Sequence, residues 1–278
     1  MNAQALVNPF RIPMIVDTHA HIFSAAGPFA PGARYRPRYE ASIEQWLAAW
    51  PDAGVTHGVL VQPSFLGTDN SQLLAALRAR PAILRGVVVV DPSVTKAELQ
   101  QWEELGVRGV RLNLLGVADL SVFGGPDWKR VFGWMADLGW HLEVQCEGER
   151  FASLLPVLRH LPLALVIDHF GLPDPGLSDP CTASAAILQA AKTQDVYVKL
   201  SAPYRLRGAD PWAYASLYLA KLGADRLLWG SDWPWTNHER GRSYRECMSM
   251  LGAGVFSREE QSVILQQAPG RLYGFSTG

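Results

Sequence analysis

Two histidines one residue apart, His19 and His21, close an apolar run that starts at Met14, and Asp232 lies near the other end of the chain within Trp229-Gly-Ser-Asp-Trp-Pro-Trp235. Alternate residues of a strand point to the same side, so both imidazoles of His19-Ala-His21 aim at one point just past a strand end. Two imidazoles and a carboxylate can hold a divalent ion, or they can polarise a carbonyl while the carboxylate activates a water. Other polar residues recur where apolar runs end: Gln62-Pro-Ser64, Arg111-Leu-Asn113, Gln145, Asp168-His169 and Ser201-Ala-Pro-Tyr-Arg205. Polar groups there are costly in a core and tolerable around a ligand.

Holding these residues together requires a repeating framework. Apolar runs at 15–16, 58–61, 84–90, 107–112, 141–144, 163–167, 196–200 and 226–229 predict eight strands. Between them the spacing of Ile43, Trp46, Leu47 and Trp50, and of Trp128, Val131, Phe132 and Met135, predicts helices. Pro126 and Pro211 suit first-turn positions, Asp210 a cap, Gly139 a helix end, and Ser257-Arg-Glu-Glu260 a capping box. Eight strand–helix units in 278 residues favour a (β/α)8 TIM barrel over a doubly wound sheet, with the site at the carboxyl ends of the strands. No linker or low-complexity run interrupts the chain, which predicts a single domain over residues 1–278. Residues 23–39, rich in Pro, Gly and Arg, form the one long irregular loop and are predicted to lie over the barrel mouth. On the fourth strand Gly109, Arg111 and Asn113 share one face, and Val110 and Leu112 the other.

Composition narrows the function. A hydrophobic content of 48% is ample for a core without staples, and a net charge of -1 offers no electrostatic footprint for nucleic acid or an anionic membrane. No apolar stretch approaches the ~20 residues needed to span a bilayer. The start of the chain, with Arg11 its single early basic residue, lacks a secretory pattern, and Cys146, Cys181 and Cys247 are scattered. These features predict a cytoplasmic protein whose partner is a small molecule. Trp46 and Trp50 suit either core or the interface of a homo-oligomer.

At the residues quoted, the chain resembles the amidohydrolase superfamily (amidohydrolase-2 type), and within it the branch of 2-pyrone-4,6-dicarboxylate lactonases and sugar lactonases. The resemblance rests on His19-Ala-His21, Val-Gln62-Pro-Ser64, Val-Arg-Gly-Val-Arg111-Leu-Asn113, Asp168-His169-Phe-Gly, Lys-Leu-Ser-Ala-Pro-Tyr-Arg205, Gly-Ser-Asp232-Trp-Pro and the closing Pro-Gly-Arg-Leu-Tyr-Gly-Phe275. It implies a deformed barrel that hydrolyses a cyclic ester, as in aromatic degradation. Typical superfamily members hold one or two divalent ions with histidines on the first, fifth and sixth strands, an acidic or carboxylated fourth-strand residue and the eighth-strand aspartate. Here the fourth strand offers Arg111 and the fifth Gln145, poor ligands both, which argues against two metals. A single zinc on His19, His21 and Asp232 fits a catalytic site of three protein ligands plus water. The branch includes members that work without a metal, so none is expected to be required.

The residue types then suggest roles. Asp232 is the expected general base, and His19, His21 and His169 the donors that polarise a lactone carbonyl. Arg111 and Arg205 suit a carboxylate, hence an anionic lactone; Gln62, Asn113 and Gln145 join them at strand ends, and the resemblance adds Ser64, Tyr39 and Asn237. The dicarboxylate pattern carries a second arginine after the fourth-strand one. This chain reads Leu-Leu-Gly-Val-Ala-Asp119 there, leaving Arg34, Arg36, Arg38 or Arg207 to supply it. His57, His141 and His160 are expected on the barrel's stability face, His238 in a loop, and Lys199 without an obvious partner. The alternatives are a sugar (aldono)lactonase on the same site and a zinc-dependent decarboxylase of an aromatic or muconate-type acid.

Overall fold

The computed structural model describes residues 13–275 except 160, 178 and 253; Arg11 and His160 therefore lie outside the described residues. Eight parallel strands follow one another in sequence order: β1 (Val16–Ala20), β2 (His57–Val61), β3 (Leu84–Val88), β4 (Val107–Asn113), β5 (His141–Gln145), β6 (Leu165–Ile167), β7 (Val196–Ser201) and β8 (Leu227–Gly230). With helices between them this is the (β/α)8 barrel that the alternating pattern predicts. All eight strands fall on the predicted runs. The largest difference is β1, which runs on through Asp17, Thr18 and His19, polar residues that are fully buried and find polar partners there.

The helices follow their end signals. Ser42 and Ser257 close capping boxes, Asp210 accepts from the Trp212 amide, and Pro126 and Pro211 open their helices. Trp46 and Trp50 are buried in the layer between sheet and helices, which settles them as core. Inside the barrel, Val16, Val59, Val87, Val166 and Leu228 form an apolar floor that Tyr273 and Phe275 close from below. His57 packs on Phe275 and His141 on Tyr273, both at that end.

Above the floor the interior turns polar. β4 and β5 pair Gly109 with His141, Arg111 with Glu143 and Asn113 with Gln145, so inward polar residues stand side by side up the wall. The β8–β1 seam is made differently, with few ladder bonds. Asp232 N donates to His19 O and His21 N to Trp233 O, each at 2.8 Å, and Thr18 Oγ1 donates to Trp229 O at 2.8 Å. Buried Asp17 completes the seam, accepting from the amides of His19 and Ser231, the Ser231 hydroxyl, Trp46 Nε1 and Tyr244 OH. The chains approach so closely that a Cβ on Gly230 would lie 2.6 Å from His19 Cβ.

Candidate active site

At the top of the barrel, β1 carries His19 near its end and His21 just past it, and the turns after β6 and β8 carry His169 and Asp232. Asp232 Oδ1 faces three imidazoles, at 3.6 Å from His19 Nε2, 3.6 Å from His21 Nε2 and 3.9 Å from His169 Nε2. His19 Nε2 and Asp232 Oδ1 are buried and have no hydrogen-bond partner among the described residues. Both Asp232 (φ 57°) and His169 (φ 51°) adopt the left-handed backbone region, which costs about 1 kcal/mol or more per non-glycine residue and is characteristic of functional sites.

The other carboxylate oxygen is fully engaged. Tyr204 OH donates to Asp232 Oδ2 at 2.6 Å and Arg205 Nε at 2.9 Å, and Arg205 Nη2 also donates to Thr236 O. Burial pushes Asp232 up, but Arg205 and His169 outweigh it and hold the carboxyl well below its usual range. Burial lowers His169 to about 4 and, with Lys199 beside it, drives His19 well below 6.5. At neutral pH these two rings are uncharged and the carboxylate is ionised.

Beneath the site lies a network of buried charges. Arg111 Nε donates to Asp168 Oδ2 at 2.9 Å and Nη2 to Gln145 Oε1 at 2.6 Å, while Lys199 Nζ donates to Glu143 Oε2 and lies 3.0 Å from His19 Nδ1. Lys199 thus has close partners, against the expectation that it lacks one. Arg111 and Arg205 likewise commit Nε and Nη2 to protein groups, so neither presents a free fork.

A cavity of about 290 Å³ opens above, lined among others by His21, Ser64, Arg111, Asn113, Gln145, His169, Arg205, Asp232 and Asn237. A second cavity of about 240 Å³ adjoins it, sharing Leu115, Gln145 and Arg205 and adding Arg207 and His238. His19 lies just below the first cavity, fully buried. Gln62 faces away, donating to Asp69 O at 2.7 Å. Tyr39 donates to Glu239 and packs on Phe23, whereas Tyr35 of the same loop lines the cavity. The loop at 23–39 does cross the mouth: Arg34 Nη1 donates to Leu115 O at 2.6 Å and Nη2 to Asn113 Oδ1 at 3.2 Å. Arg34 therefore brings its guanidinium to the stretch after β4 where the resemblance expected an arginine.

Tyr204, Glu143 and Lys199 were not singled out as site residues from sequence. Strand parity would have found two of them, since Glu143 shares the face of Gln145, and Lys199 that of Ser201.

The donor set also fits a divalent ion. His19, His169 and Asp232 offer ligand atoms within 4.8 Å of one another, with the unpartnered His19 Nε2 and Asp232 Oδ1 among them and His21 adjacent. This trio replaces the expected His21 with His169. A second group, His19, Glu143 and Asp168, is met by the protein's own cation, since Lys199 Nζ lies 3.0 Å from His19 Nδ1 and 3.6 Å from Asp168 Oδ1 and donates to Glu143.

Buried neutral imidazoles make stability depend on pH. The pKa of His169 is below 6.5 in the folded state, so between pH 6.5 and about 4 the unfolded chain binds more protons and acid favours unfolding. That ring alone is expected to remove about 3 kcal/mol of stability across the window. Urea midpoints measured from pH 7 to pH 4.5 should fall, and His169→Asn should flatten the slope.

Comparison with known proteins identifies relatives of this chain. The family described as amidohydrolase matches residues 16–275. The 2-pyrone-4,6-dicarboxylate hydrolase of Comamonas testosteroni is 34% identical over 246 residues, covering 82% of this chain and 79% of that one. The 4-sulfomuconolactone hydrolase of Rhizobium radiobacter is 27% identical over 275 residues, covering 93% and 89%. A crystal structure from Acinetobacter baumannii, described as a probable 2-pyrone-4,6-dicarboxylic acid hydrolase with citric acid bound, superposes with a TM-score of 0.88 at 36% identity, covering 94% of this chain and 99% of that one.

Proposed function

The chain belongs to the amidohydrolase family, and from that premise we propose that it is a hydrolase that opens the lactone ring of a small carboxylated substrate of the 2-pyrone-4,6-dicarboxylate class. The observation that carries this reading is the convergence of three imidazoles on the free oxygen of Asp232, at the floor of a cavity rimmed by Arg34, Arg111 and Arg205. Tyr204 and Arg205 hold Oδ2 and keep the carboxyl ionised, which leaves Oδ1 to take a proton from water as that water attacks the lactone carbonyl. Those imidazoles that present an N–H to the site stabilise the oxyanion, and its collapse expels the ring oxygen, which takes up the proton. When bound, a divalent ion held by His19, His169 and Asp232 would supply Lewis-acid polarisation of the carbonyl and a more acidic water.

The three guanidinium groups favour an anionic substrate over a sugar lactone, whose hydroxyls call for amides and hydroxyls. Arg34 is the exposed one; each of its terminal nitrogens gives one proton to Leu115 O or Asn113 Oδ1 and keeps a second, and we assign these to a carboxylate of the substrate. Arg34→Met is expected to raise KM for a dicarboxylate about 10-fold, the ~1.4 kcal/mol of one charge-assisted hydrogen bond, with kcat little changed. An unaltered KM would remove Arg34 from the binding site.

The direct test is the initial rate of ring opening of 2-pyrone-4,6-dicarboxylate, followed by loss of pyrone absorbance before and after chelation. Turnover that survives chelation supports water activation by Asp232 alone, and turnover lost on chelation and restored by zinc assigns the ion a part. Absence of turnover under both conditions, and with zinc added, rejects the pyrone and directs the search to sugar lactones. One domain in a cytoplasmic setting suits the scattered free cysteines. Among the described residues, no helix is long and apolar enough to cross a membrane.

A further inference from the structure

We propose that the buried Lys199–Glu143 pair fixes the tautomer of His19, so that Nε2 presents an N–H and not a lone pair to the point opposite Asp232. Each imidazole meets a different group on its far side. His21 Nδ1 faces the carbonyl oxygen of Val61 at 2.7 Å, which only accepts, so His21 carries its proton on Nδ1 and turns the Nε2 lone pair to the site. His169 Nδ1 faces the Ser201 hydroxyl at 2.8 Å, which serves either tautomer. His19 Nδ1 faces Lys199 Nζ at 3.0 Å, and an ammonium only donates. In the neutral ring the proton is then on Nε2.

Two carboxylate oxygens compete for this arrangement, and Glu143 Oε1, 3.6 Å from His19 Nδ1, is the farther. Asp168 Oδ1 lies 3.3 Å from the same Nδ1 and would draw the proton there if it accepted a hydrogen bond. It makes none among the described residues, and Arg111 holds the other oxygen of that carboxylate. Lys199 and Asp168 thus pull His19 toward opposite tautomers, and Glu143 keeps the lysine in place from within the barrel, where all three side chains are 0% exposed. Lys199 acts through His19 as a positioning residue. Without it, Nδ1 would pass to Asp168, and the site would lose a hydrogen-bond donor and gain a metal-ligating lone pair. In the native chain a metal ion must first displace the proton on Nε2, so the same lysine weakens metal binding. The effect on ring opening rests on the lactonase reading; the tautomer itself does not.

The experiment is nitrogen NMR of the full-length protein labelled with 15N-histidine, with His19 assigned by its loss in His19→Gln. The expected spectrum of the native protein shows His19 protonated at Nε2, and a ring protonated at Nδ1 overturns the proposal without any variant or substrate. Lys199→Met should move the proton to Nδ1, tighten zinc binding about 10–100-fold in a chelator-dye titration, and lower kcat by a similar factor while KM stays within about two-fold, the scale expected when a buried partner of an imidazole is lost. Lys199→Arg, which keeps a donor, should recover the native tautomer. Lower activity with an unchanged tautomer and unchanged zinc affinity would mark Lys199 as merely structural and overturn the proposal. If the native chain fails to open the pyrone, the lactonase reading falls while the NMR and zinc results still decide the role of Lys199.

Discussion

Asp232→Asn is expected to lower kcat for ring opening by about 1,000-fold, within the range that a positioned general base contributes. The asparagine keeps the shape of the side chain and can still accept from Tyr204 OH and Arg205 Nε. What disappears is the basic oxygen that faces the three imidazoles. The change also removes the charge that Arg205 neutralises, but Arg205 is 19% exposed and keeps the Thr236 carbonyl, so folding should survive. Initial rates with a matched urea denaturation curve separate the two effects. A variant with more than about a tenth of native kcat, a loss far below the range for a general base, would place the base elsewhere.

Gly230→Ala should harm stability and catalysis together. The added methyl would lie 2.6 Å from His19 Cβ and 3.0 Å from its amide nitrogen, and neither atom is the yielding end of a flexible side chain. Overpacking of this kind costs about 1–3 kcal/mol, and displacing a reacting group by an ångström costs about 100-fold in rate. Urea denaturation and kcat should therefore fall in the same variant. Gly133→Ala is the control: it lies in the helix Pro126–Asp137, a Cβ there meets nothing within 4 Å, and alanine should stabilise that helix by up to about 1 kcal/mol. Native rates from Gly230→Ala would mean that the seam does not hold His19 in register.

Much of this site was legible because strands repeat every two residues. The parity that put Gly109, Arg111 and Asn113 on one face of β4 holds in the barrel, and the strand ends carry the polar residues read there. The same rule applied to β5 and β7 would have added Glu143 and Lys199. Pairing was not legible, because it is set by the closure of the barrel. Lys199 meets His19 across 180 residues and Arg205 meets Asp232 across 27, and no local pattern encodes either. The same limit explains the arginines. Their position at strand ends suggested free forks, whereas neighbouring strands supply each with a buried acid. In the mouth loop there is no period to read; the resemblance pointed to Tyr39, whereas Tyr35 is the tyrosine that lines the cavity.

The seam between β8 and β1 has a consequence for how activity arises. His19 and His21 stand on the first strand and Asp232 follows the last, so the two halves of the chemistry sit at opposite ends of the ring of strands. A sheet of all eight strands left unrolled would contain every residue of the site and no site. Turnover is in this sense a measure of circularity: it begins when the first and last strands meet, and a molecule that has all its secondary structure but has not joined them is silent.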